Sequence, residues 1–142
     1  MPIKMTQFLA STIVATGLLF GCGLSAAAPK VDVSKLPPPA KKEGVLYEKD
    51  IKPIFEKSCV KCHSGARPKG RYDMTTREAV IKGGREGKAV LPGKSAESLI
   101  VHNVADLIRD FEMPPLDERE EFPALTRDQI ALLRAWIDQG AK

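Results

Sequence analysis

Cys59-Val60-Lys61-Cys62-His63 is the feature that most limits what this chain can become. Two thiols this close in sequence would close too small a loop for a structural disulfide to constrain the fold much. The pair therefore reads as attachment or ligand chemistry. A thioredoxin-like redox pair calls for a βαβ pattern nearby, and the sequence has none. A zinc site calls for a further Cys or His pair, and beyond this segment the only histidine is His102. What remains is the C-x-x-C-H pattern of c-type haem attachment. Its spacing has a physical reason. The thiols of Cys59 and Cys62 add to the vinyl groups on one porphyrin edge. The adjacent His63 is then carried beneath the ring, where its imidazole reaches the iron as proximal ligand. The expected cofactor is one covalent haem.

The composition agrees with a chain that leans on a cofactor. Its 142 residues give room for one domain. Aromatics are scarce, with five Phe, two Tyr and one Trp, so the core has little large apolar material of its own. A buried haem supplies the flat apolar surface that is missing.

Residues 1–27 read as a leader. Lys4 is the only charged residue before Lys30, an apolar run extends from Phe8 to Phe20, and small residues fill Gly21 to Ala28. The run is too short for a comfortable transmembrane span. Export to the periplasm follows, the compartment in which bacteria attach haem covalently. Two processing routes are open. Leu19-Phe20-Gly21-Cys22 resembles a lipobox, which would make Cys22 a lipidated first residue and a membrane tether. Ser25 and Ala27 instead fit an ordinary signal-peptidase site. The formal charge of +4 falls by one when Lys4 leaves with the leader. Haem propionates would bring it close to neutral, and no nucleic-acid partner is expected.

Residues 28–44 hold Pro29, the run Pro37-Pro38-Pro39 and several lysines, and read as an extended linker. The domain is expected over 45–142, all-α with short helices and long loops. Asp50 is placed to cap a first helix with Pro53 in its opening turn and Ile51, Ile54 and Phe55 on one face. Thr75 and Glu78 form a capping-box pattern ahead of Ala79, Val80 and Ile81, and Gly83-Gly84 stop that helix. Ser95 starts another, with Leu99 and Ile100 inward. The last is the clearest: Thr126 and Gln129 pair as a capping box, Ile130, Leu133, Trp136 and Ile137 form the apolar stripe, and Gly140 ends it. Loops this long in so small a domain are expected to wrap something.

Met113 is the expected sixth ligand of the iron, with His102 or an open site, which would suit gas or peroxide chemistry, as the alternatives. It lies 50 residues after His63, beyond the helical segment, and Pro114 and Pro115 fix an extended backbone that aims its thioether. Met74, only 11 residues after His63, reads as a core position, and His102 as a satisfied or surface histidine that could compete for the iron. Thioether sulfur raises the potential relative to bis-His ligation. It also completes the coordination sphere, which suits outer-sphere electron transfer. The glycine-rich stretch does not make a nucleotide site: Gly87 and Gly93 are separated by five residues where a P-loop has four, and no buried strand precedes them. These glycines instead let the backbone turn tightly or approach the haem. Asp117 to Glu121 is an acidic run that reads as a solvated face.

The segment Asp50-Ile51-Lys52-Pro53-Ile54-Phe55 followed by Cys59 to His63 resembles the opening of the planctomycete-type cytochrome c domain. So do Gly83-Gly84, Leu91-Pro92-Gly93, Ser95 to Ile100, Met113-Pro114-Pro115 and the ending Trp136-Ile137-Asp138-Gln139-Gly140-Ala141. The likeness runs from about Leu46 to Ala141 and places the chain near the class I mono-haem cytochromes c. It implies a small class I-like fold in which the first and last helices cross beside the haem, with Phe55 against Trp136. It also implies the distal-ligand role for Met113. The functional expectation is an exported electron carrier, not an enzyme, that meets redox proteins transiently. A dedicated haem subunit of a periplasmic oxidoreductase and a haem-based gas or redox sensor are the alternatives.

Overall fold

In the computed structural model the described residues are 31–142. The leader and Cys22 lie outside them. The described residues form four short α-helices, α1 (Lys52–Ser58), α2 (Arg77–Lys82), α3 (Leu99–Val104) and α4 (Arg127–Asp138). Isolated helical turns and loops join them, and among these residues there is no β-strand, only a single bridge between Gly84 and Gly87. No helix among them is long and apolar enough to cross a membrane. The architecture is all-α.

The last helix organises the rest. Thr126 and Gln129 make both bonds of the capping box, with the Gln129 N–H on Thr126 Oγ1 at 3.2 Å and the Thr126 N–H on Gln129 Oε1 at 2.9 Å. Its stripe of Ile130, Leu133, Trp136 and Ile137 is buried. Beyond it, the chain end folds back. The Lys142 carbonyl accepts from the Trp136 indole at 2.8 Å and from the Tyr47 N–H at 3.2 Å.

Tyr47 is the aromatic hinge of the core. Its ring lies 5.6 Å from Trp136 and 6.3 Å, edge-on, from Phe55. All three side chains are buried. The first and last helical segments therefore meet through Tyr47, which precedes α1 in a π-helical turn over Tyr47–Ile51.

Two helix starts differ from expectation. Asp50 does not cap α1, whose N-cap is Ile51 without a side-chain bond. Its carboxylate instead accepts the Leu46 N–H at 2.9 Å and pairs with Lys42, securing the π-helical turn upstream. The start of α2 lies one residue later than Thr75. Thr75 is occupied by Asp73, which accepts both its N–H (2.9 Å) and its hydroxyl (2.7 Å), so Thr76 takes the cap and receives the Ala79 N–H. Ser95 begins only an isolated turn, held by two 2.8 Å bonds to the Asp138 carboxylate of α4.

The proline-rich stretch has little regular structure and lies against α4. Leu36 and Pro37 are buried, the Ala40 N–H donates to the Ala131 carbonyl at 2.9 Å, and Arg134 bonds the Pro37 carbonyl. Gln139 closes this region. Its Oε1 accepts the Val45 N–H (3.1 Å) and its Nε2 donates to the Lys42 carbonyl (2.7 Å).

Candidate haem site

The end of α1 delivers the motif. Its last turn closes on Cys59, whose N–H donates to the Phe55 carbonyl at 2.8 Å. The Cys62 and His63 N–H groups then both return to the Cys59 carbonyl, at 3.1 and 3.0 Å. That tight turn sets both thiols on one wall. Both are free, Cys59 buried and Cys62 half-buried. Burial, with a smaller contribution from Cys62, pushes the Cys59 thiol up to about 12, so it stands neutral in an apolar setting.

The His63 ring is oriented from behind. Its Nδ1 lies 3.0 Å from the Lys69 carbonyl and 3.2 Å from the Tyr72 carbonyl. Carbonyls only accept, so Nδ1 carries the proton and Nε2 keeps its lone pair. Burial lowers the pKa of this imidazole, against the two carbonyls that raise it, and favours the neutral ligand form. Tyr72 packs edge-on at 5.7 Å, its hydroxyl bonded to the Val80 carbonyl at 3.0 Å. Outer hydrogen bonds of this kind are what orient a histidine when it serves as a metal ligand.

Cys59, Cys62, His63 and Met113 all line one cavity of about 240 Å³. Apolar side chains, among them Ile100, Val104 and Phe111, make up much of its remaining wall. Met113 is anchored through its N–H to the Asn103 carbonyl at 3.0 Å. The following Pro114 carbonyl accepts from Arg119 Nε at 3.0 Å, and Arg119 in turn holds Asp106 at 2.9 Å. Met74 also lines the cavity, but its N–H donates to the His63 carbonyl at 2.8 Å, which ties it to the segment bearing the histidine. His102 is not among the lining residues. It is buried, with Nε2 2.7 Å from the Ala96 carbonyl, where it joins α3 to the Ser95 turn. No three His, Cys, Asp or Glu side chains gather as metal ligands among the described residues.

The parts that three residues play here escaped the sequence reading. Glu118 accepts from Lys69 at 3.2 Å and lies 3.8 Å from Cys62 Sγ, at the cavity edge. Gly84 lets two segments touch, since a Cβ there would sit 2.7 Å from the Gly70 carbonyl oxygen and from Tyr72 Cβ. Asn103 lines the cavity with its side-chain Oδ1 buried and without a partner. Buried polar atoms are rarely left so; an amide oxygen accepts, so only a hydrogen-bond donor, such as a water, would satisfy it.

The residues fit a covalently held haem. Two free thiols sit beside an imidazole with an available Nε2, in an apolar-walled cavity. Neither the curated proteins nor the solved structures gave a match to the chain. Residues 59–117 match the family described as planctomycete cytochrome C, and cytochromes c hold haem covalently. The segment that carries both thiols, His63 and Met113 is thus a planctomycete-type cytochrome c domain.

Proposed function

We propose that this protein is an exported c-type cytochrome that holds one haem on Cys59 and Cys62, with His63 and Met113 on the iron, and passes single electrons between redox proteins. The observation that carries the reading is the convergence of both thiols, the imidazole and the thioether on one cavity. A small class I-like fold accompanies it, with the loops around residues 63–72 and 103–118 serving as the wrap.

When bound, haem supplies an iron centre that changes charge by one electron. This chain's residues do the rest. The Lys69 and Tyr72 carbonyls hold the Nδ1 proton of His63 and so present Nε2 to the metal. The Asn103 carbonyl and Arg119 hold the loop that offers the Met113 thioether. The largely apolar wall lowers the polarity around the site, which favours a raised potential. Met113 suits the sixth position better than Met74, which is tied to the histidine's own segment, or His102, whose Nε2 is engaged elsewhere.

The leader supports export, and with it a periplasmic protein that is either free or tethered through lipidated Cys22. The test is made on the exported protein. Haem stain is expected to persist on a denaturing gel for the wild type and to vanish for Cys59→Ala with Cys62→Ala. A mediated titration is expected to show one reversible one-electron couple. Rapid carbon monoxide binding to the native ferrous protein would overturn Met113 ligation and favour a gas sensor. Firm co-purification with a larger oxidoreductase would replace the free carrier by a dedicated subunit.

A further inference from the structure

We propose that Arg67, Arg71 and Arg85 form a docking surface for an acidic redox partner, a protein whose electron-exchange face carries carboxylates. The inference rests on the electron-carrier reading above. The three side chains line one surface cleft beside the haem cavity. All three residues are exposed, and none takes part in an ion pair among the described residues. Arg109 and Arg127 are exposed and outside those ion pairs too, but neither lines the cleft or the cavity, so it is the grouping of Arg67, Arg71 and Arg85 at one place that sets them apart.

Arg85 lines both the cleft and the cavity. A partner seated on the arginines therefore sits at the edge of the cavity. The loop also belongs to the ligand support, since the Lys69 carbonyl between Arg67 and Arg71 accepts from His63.

The backbone argues for a protein face over a small enclosed anion. The Arg71 N–H donates to the Pro68 carbonyl (2.9 Å), the Tyr72 N–H to Lys69 (3.2 Å) and the Arg85 N–H to Gly70 (2.8 Å). With those amides committed within the loop, they offer no nest of the kind that cradles phosphate. What faces outward is guanidinium, whose planar fork matches carboxylates. The surroundings argue against a long polyanion such as nucleic acid. Glu118 lines the same cavity, next to exposed Asp117, Glu120 and Glu121. A compact acidic patch meets the arginines without crossing that run.

The probe is a gold electrode coated with a carboxylate-terminated alkanethiol, used with the mature, haem-loaded protein. Variant R67Q/R71Q, which leaves the cavity-lining Arg85 in place, is compared with K41Q/K49Q, which removes the same charge from exposed positions outside both cavities. At low ionic strength the arginine variant is expected to lose about tenfold in electroactive coverage, with little change in the control. The wild-type signal is expected to fall as salt is added. Equal losses in both variants, or no loss in the arginine variant, would overturn the proposal. A salt-sensitive dimer of the wild type in sedimentation, abolished by the arginine changes, would assign the surface to a second copy's acidic run and overturn the partner assignment. A mediated titration in solution separates the two readings. If the wild type lacks a reversible couple there, the carrier function itself fails, and the redox character of the partner with it. If the couple is intact and unchanged in the arginine variant, the electrode result bears on docking alone.

Discussion

The Met113 N–H donates to the Asn103 carbonyl across 3.0 Å, so the loop bearing the thioether hangs from the last turn of α3. Arg119 holds the same loop from the other end through the Pro114 carbonyl. The two bonds make the position of Met113 a property of the protein before any metal is present. Ligand loss and global unfolding should then be separable events.

Arg119→Ala removes the support at Pro114 and a partly exposed ion pair to Asp106. The expected loss of global stability is about 1 kcal/mol. The sulfur-to-iron absorption band of the oxidised protein is expected to disappear at a lower denaturant concentration than the helical signal. In Met113→Ala the band is absent from the start. Coincident loss of band and helix in Arg119→Ala would remove the argument that this side chain secures the ligand loop.

How much of this was legible beforehand depended on the range of the interactions. The C-x-x-C-H segment, the capping box of α4 and its apolar stripe are local patterns, and each can be read within a few residues. The start of α2 is also local, yet two threonines stood side by side, and only the Asp73 carboxylate decides that Thr76 takes the cap. Long-range partners leave no such mark. Gln139 bonds the Lys42 carbonyl 97 positions away, and Tyr47 joins Phe55 to Trp136 by a fold-back of the chain end. Asn103 carried no mark in the sequence and Glu118 sat within an acidic run that read as a solvated face, because their place comes from a cavity assembled by distant segments. Arg119 sat inside an acidic run whose net sign hid it.

Tyr47 should carry much of the domain's stability. Its ring contacts both Phe55 and Trp136, while its hydroxyl makes only a long 3.4 Å bond to the Met74 carbonyl. Tyr47→Ala is expected to cost about 3–5 kcal/mol, as large-to-small core changes do. Tyr47→Phe keeps the ring and should cost about 1 kcal/mol. Denaturant midpoints at constant slope would measure both. Similar losses for the two variants would mean that the hydroxyl matters more than the ring.

Gly84→Ala is expected to destabilise the domain by about 1–3 kcal/mol, the usual range for overpacking. The new methyl would sit 2.7 Å from the Gly70 carbonyl oxygen and from Tyr72 Cβ, so one of those segments must move. Because the Tyr72 carbonyl accepts from His63, the variant should also shift the haem spectrum or lower haem incorporation. An unchanged spectrum with reduced stability would confine the effect to packing.

Asp50 gives a pH dependence whose sign can be worked out. The Lys42 ammonium and then the Leu46 N–H hold its carboxyl below the ordinary value of 3.8. The unfolded chain therefore takes up the proton first as pH falls. The contribution of Asp50 is complete above the ordinary carboxylate value and is lost as pH drops through the lower folded value. Asp50→Asn should be less stable than the wild type at neutral pH, and the difference should shrink in acid once the wild-type carboxyl is protonated. Thermal melts of both proteins across the acid range are the measurement. A constant difference at every pH would show that the cost of Asp50→Asn lies in the lost geometry of the Leu46 cap and not in the charge of the carboxylate.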